Sequence, residues 1–178
     1  NRIIPTNNGV MMFFYEITEK KQNENKIKEA YNIINKSSSV AILCENAIDF
    51  PVIFASENCI ELFGYNYKEF LSGKIKIHEI VYPEDLEAIR DQVFELVKSK
   101  DRTTIKLKPY RIITKNKNIK WVKANIDVVR NERGKITNVQ GIVEDITEQK
   151  KAEDLLFKSN QQLKDQFNNT PLASIIWD

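Results

Sequence analysis

A chain of 178 residues, 42% of them hydrophobic, can bury one core of ordinary domain size and is too apolar to be disordered. Lys and Arg number 27 against 25 Asp and Glu, and a net charge of +2 gives no ground for a nucleic-acid or anionic-membrane surface. Cys44 and Cys59, with a single histidine in the chain, make neither a zinc spacing nor a disulfide framework and suit a reducing, cytoplasmic setting.

The longest apolar run, Val10 to Tyr15, falls well short of the roughly 20 residues that span a bilayer, so no membrane contact is expected of this segment. The run is read as the last strand of one unit. It leads into Glu16-Ile17-Thr18-Glu19, a sequence that returns as Asp145-Ile146-Thr147-Glu148, again after a strand-like run and before a charged helical stretch. Near the end, Pro171-Leu172-Ala173-Ser174-Ile175 weakly echoes Ser39-Val40-Ala41-Ile42-Leu43. The chain therefore reads as one whole module between two fragments. Residues 1–21 are the tail of a preceding module, 22–38 a linker helix, 39–148 the whole module, 149–169 a second linker helix and 170–178 the start of another. A start at Asn1 rather than Met fits a piece of a longer protein.

Within the module, Ile27, Ala30, Tyr31 and Ile34 share one helical face until Ser37-Ser38-Ser39 ends the pattern. Val40 to Cys44 and Val52 to Ala55 read as short buried strands. Ser56 reads as an N-cap for a helix ended by Gly64, and Tyr67 to Leu71 as a further short helix before Gly73. Pro83-Glu84-Asp85 opens the longest central helix, with Leu86, Ile89, Val93, Leu96 and Val97 at helical spacing through Lys100. Three strands follow, Thr103 to Thr114, Ile119 to Arg130 and Lys135 to Asp145, joined by turns at Asn116-Lys117-Asn118 and Asn131-Glu132-Arg133-Gly134. The lysines around the first turn read as its solvated side.

Several of these words, taken in order, resemble the PAS domain family. They are Ser56-Glu57-Asn58-Cys59-Ile60-Glu61-Leu62-Phe63-Gly64-Tyr65, Ile77-His78 with Pro83-Glu84-Asp85, Tyr110-Arg111-Ile112 before Ile119-Lys120-Trp121-Val122, and Gly141-Ile142-Val143-Glu144-Asp145-Ile146-Thr147. The resemblance implies an α+β fold, a five-stranded antiparallel sheet in the order 2-1-5-4-3 with short helices on one face, and amphipathic linker helices at both ends. It also implies a sensing or relay role. The expected parent is a sensor histidine kinase of a two-component system, with a diguanylate cyclase or a transcriptional regulator as other hosts and a ligand-free dimerisation spacer as the competing reading.

Alternation along the strands brings Tyr110, Ile112, Val122, Ala124, Ile126, Val139, Gly141 and Val143 to one face as candidate pocket residues. Either a packed core or a space for a small, mostly apolar ligand fits them, with Gly141 leaving room and Tyr110 offering a hydroxyl. No cofactor is expected. Flavin-binding relatives need a reactive cysteine in the segment that here reads Gly73-Lys74-Ile75-Lys76-Ile77-His78, and the positions of their flavin-contacting amides are here Ile112, Val122 and Val143. Haem-binding relatives place an axial histidine in or near the long helix; His78 lies before it and is expected to hydrogen-bond neighbouring backbone.

No metal cluster, phosphate-cradling loop or catalytic constellation is legible, so this segment is not expected to be an enzyme. Asp145, Ile146 and Thr147, at the strand-to-helix junction, are the candidate relay. Leu156, Asn160, Leu163 and Phe167 form a stripe suited to pairing with a second copy, which predicts a homodimer through the module and its linker helices. The other expected partners are neighbouring modules and the output domain of the same chain.

Overall fold

The computed structural model describes residues 9–99 and 101–169, with side chains from 20–99 and 101–166. Helix α1 (Gly9–Asn35) leads into β1 (Ser39–Glu45) and β2 (Val52–Ala55). Four helices follow: α2 (Cys59–Phe63), α3 (Tyr67–Leu71), α4 (Ile77–Ile80) and α5 (Pro83–Lys98). Then come β3 (Thr104–Lys106), β4 (Tyr110–Ile113), β5 (Ile119–Arg130), β6 (Ile136–Asp145) and the exit helix α6 (Thr147–Asn169).

The sheet is antiparallel, in the order β2-β1-β6-β5-β3, with β4 also paired to β5. It has six strands where five were expected, because the third expected strand is broken. The Leu107 amide still donates to the carbonyl of Ala124 on β5 at 2.9 Å, but the Lys108 amide turns to Gln92 of α5 and Pro109 has no N–H to give, so regular pairing resumes only at Tyr110. Counting β3 and β4 as one strand restores the expected order.

One face of the sheet carries the core. Along β6, Val139, Gly141 and Val143 are buried while Gln140 and Ile142 are exposed, and Val40, Ile42 and Cys44 on β1 keep the same alternation. Phe63 and Phe70 from α2 and α3 meet edge to face at 5.7 Å and are each 2% exposed. Left-handed Gly64, φ 77°, ends α2 as anticipated.

Two sequence expectations are corrected. Val10 to Tyr15, read as a strand, lies within the continuous helix α1. No strand of the described sheet pairs with it, and a helix satisfies its backbone groups internally. Ser56 does not cap a helix by its side chain; its hydroxyl accepts from the amide of Ala41 at 2.9 Å and donates to Asn58 Oδ1 at 2.5 Å. The proposed fragments at 1–8 and 170–178 lie outside the described residues, as does the side chain of Phe167.

Candidate functional site

Between the buried sheet face and the helices lies a cavity of about 370 Å³, within the usual range for small-molecule sites. Its floor is the sheet. Ile42 and Cys44 come from β1, Tyr110 from β4, Ile126 from β5, and Val139, Gly141 and Val143 from β6. Leu86, Ile89, Arg90, Val93 and Phe94 of α5 form the opposite wall, at the i, i+3, i+4, i+7, i+8 spacing that puts all five on one helical face. Phe50, Ile77, His78 and Val81 close the sides.

Five of the eight residues chosen from sequence, Tyr110, Ile126, Val139, Gly141 and Val143, therefore line the cavity. Ile112, Val122 and Ala124 do not line it; they are packed into the core beside it, at 1%, 0% and 2% exposure. The α5 stripe was legible as a helix face but was not assigned to the cavity. Phe50 was missed for another reason. It and Asp49 have left-handed backbones, φ 48° and 66°, an arrangement that nothing in the residue types of that link announces.

At Gly141 the reason for glycine is space. A Cβ there would stand 3.0 Å from Ile126 Cδ1, another group of the cavity lining. The cavity's polar groups are few. Burial alone pushes the Cys44 thiol up to about 11 and the Tyr110 hydroxyl up to about 12, so both stay protonated at neutral pH. His78 is exposed and, contrary to the sequence expectation, makes no hydrogen bond among the described residues. Its helix α4 is one turn long, and His78 stands at the cavity's edge without a backbone hydrogen-bond partner for its ring among those residues. Asp49 lies 2.7 Å from Lys76 Nζ. No group of three metal-ligating side chains occurs among the described residues.

The floor strand β6 runs directly into α6, and its last residues are held firmly. The amide of Ile146 donates to the carbonyl of Trp121 at 2.9 Å, and the amide of Trp121 donates to Thr147 Oγ1 at 3.0 Å. Asp145 accepts from both the amide and the hydroxyl of Thr147, and its other oxygen lies 3.0 Å from Lys120 Nζ. Burial raises the pKa of Asp145, but the Thr147 hydrogen bonds and Lys120 outweigh it and hold the carboxyl below its ordinary value. The three relay candidates are thus one bonded unit.

On the entry side, buried Asn58 donates through its amide to the carbonyls of Ser37 at 2.8 Å and Ser39 at 2.9 Å, fastening the end of α1 to the start of α2. Sequence reading placed Asn58 within a family word but gave it no role. Along α6, Leu156 and Leu163 are 64% and 53% exposed, and so are Leu155 and Phe157 off the expected stripe, at 68% and 64%.

A sheet with this cavity on one face and a helix leaving its central strand is matched by the family model for the PAS fold over residues 52–143. The chain belongs to the PAS family. A methyl sulfide methyltransferase-associated sensor of Methanosarcina acetivorans is 36% identical over 141 residues, 79% of this PAS chain but 14% of that relative. A PAS domain from Colwellia psychrerythraea has a TM-score of 0.58 at 17% identity, covering 68% of this chain and 98% of that one. A sensory box histidine kinase/response regulator from Burkholderia thailandensis has a TM-score of 0.57 at 19% identity, covering 74% and 95%. At such identities the two structures speak for the fold alone. A PAS module has a sensory rather than a catalytic role, and no described helix is long and apolar enough to cross a membrane.

Proposed function

We propose that this module reports the state of its cavity to α6. The observation that carries the reading is that β6 both floors the cavity, through Val139, Gly141 and Val143, and ends in the Asp145-Ile146-Thr147 unit from which α6 departs. A displacement of the floor cannot be absorbed in a loop, because none intervenes.

The parent protein on this reading is a sensor histidine kinase. The stripe Leu156, Asn160, Leu163 and Phe167 pairs with that of a second copy, with Asn160 fixing register at some cost in stability. Two unpaired, buried cysteines suit the cytoplasm. Apolar Val143 in the cavity lining argues against flavin, the absence of histidine from α5 argues against haem, and the largely apolar lining supports a small ligand.

The test uses the full-length protein incubated with ATP. An acid-labile, base-stable phosphate, incorporated at a rate that Val93→Phe changes by about threefold or more, supports the reading. Absence of such a phosphate rules out the kinase, and a rate unaffected by Val93→Phe rules out the cavity as its input. Light scattering reads the dimer directly: a monomeric mass at the working concentration excludes pairing.

A further inference from the structure

The cavity wall contains a charge where helical periodicity calls for an apolar residue. Arg90 sits on the same α5 face as Leu86, Ile89, Val93 and Phe94, lines the cavity, and is exposed, which places it at the mouth. It makes no ion pair and no hydrogen bond among the described residues. The cationic charge is not offset by the nearby Asp49, whose carboxylate is held by Lys76 at 2.7 Å.

A second observation points the same way. Tyr110 lines the cavity at 8% exposure, and its hydroxyl makes no hydrogen bond with any described residue. Buried tyrosine hydroxyls ordinarily have a partner, so one left open in a cavity marks a place for a polar ligand atom. The remaining lining is almost wholly apolar.

We infer that the cavity binds a small organic acid with an apolar body, its carboxylate at the mouth accepting from both Arg90 and the Tyr110 hydroxyl and the body among Ile89, Val93 and Val139. This rests on the sensory reading above and names the ligand class of the same cavity. A carboxylate at the mouth keeps part of its hydration while gaining a charge-assisted hydrogen bond, whereas full burial of the charge would cost more than it returned. At about 370 Å³ the cavity lies near the lower end of the range for small-molecule sites, which suits a ligand of about a dozen non-hydrogen atoms. An acid with a chain of eight to ten carbons has that size. An amine of equal length would meet Arg90 as a like charge.

The experiment titrates octanoate, 1-octanol and octylammonium into the 178-residue chain by calorimetry, with Arg90→Gln and Tyr110→Phe alongside. Octanoate is expected to bind about tenfold or more tighter than 1-octanol, and octylammonium weakest. Arg90→Gln should remove the preference for octanoate and leave 1-octanol unchanged. Because Arg90 is exposed, that variant keeps the fold. Tyr110→Phe should weaken octanoate severalfold without abolishing the Arg90-dependent preference.

Equal binding of acid and alcohol, a preference that survives Arg90→Gln, or no binding of any of the three overturns the inference. None of those results touches the coupling of cavity to α6, which Val93→Phe tests without a ligand. Conversely, octanoate bound with the expected preference but without effect on hydrogen exchange along α6 upholds the ligand class and removes the sensory reading.

Discussion

The backbone amide of Trp121 donates to the hydroxyl of Thr147 at 3.0 Å, so the middle of the meander holds the first residue of the exit helix. The carbonyl of the same Trp121 accepts from Ile146, which closes a pair of bonds across β5 and the β6–α6 junction. Thr147→Val keeps the shape and removes the acceptor. The expected cost is about 1–2 kcal/mol, from an amide left without a partner. Amide exchange should accelerate in the first turn of α6 more than in β1, and Thr147→Ser should largely restore both stability and protection. Urea unfolding and exchange mass spectrometry read the two effects.

Asn58 does the corresponding work at the entrance. Asn58→Ala leaves the carbonyls of Ser37 and Ser39 and the hydroxyl of Ser56 short of a partner inside the protein, at a cost of about 2 kcal/mol. Asn58→Asp should be no better, because a carboxylate cannot donate to those carbonyls. A midpoint of urea unfolding unchanged by either substitution would show the links to be dispensable.

Gly141 and Ile126 should be energetically coupled. Gly141→Ala brings a methyl group to 3.0 Å from Ile126 Cδ1, and the expected penalty is about 1 kcal/mol, moderated because Ile126 can turn into the cavity. Ile126→Val removes the offending methyl. The double variant should be more stable than the sum of the single changes predicts, by about 0.5 kcal/mol or more. Strict additivity would mean that the two side chains do not meet.

Acid sensitivity should centre on Asp85. Arg111 donates to it from Nε at 3.0 Å, from Nη2 at 2.6 Å and from the backbone amide at 2.8 Å, fastening the start of α5 to β4. These contacts, the side-chain hydrogen bond foremost, hold the Asp85 carboxyl below its ordinary value. A carboxyl depressed by folding contributes stability that is complete above the unfolded pKa, near 3.9, and is lost as pH falls through the lower folded value. From pH 5 towards pH 2 the native protein should lose more stability than Asp85→Asn, which begins less stable at neutral pH. Parallel pH profiles would exclude the pair as the source.

Those elements whose evidence is local were legible in the sequence. Pro83-Glu84-Asp85 announced α5, Gly64 announced the end of α2, and strand alternation put Val139, Gly141 and Val143 on one face. The break at Pro109 was visible as a residue without an N–H, yet whether a strand bends or divides there depends on its neighbour β5. Long-range matters were hidden. Nothing local to Asn58 says that its amide will meet Ser37 and Ser39, and nothing local to Arg90 says that its face of α5 covers a cavity instead of solvent. Val10 to Tyr15 shows the opposite difficulty, since an apolar run suits helix and strand alike and the presence of pairing partners decides.

The account stands on transmission from the cavity to the exit helix, and amide exchange in Val93→Phe measures it most directly. Val93 lies on the α5 wall and shares the cavity with Val139, Gly141 and Val143 of β6, so an effect on α6 is transmitted through the cavity and its floor strand. The added ring should change exchange along β6 and through residues 147–154 by about threefold or more. Altered exchange in α5 and the neighbouring sheet, with residues 147–154 matching the unsubstituted protein, would contradict the account.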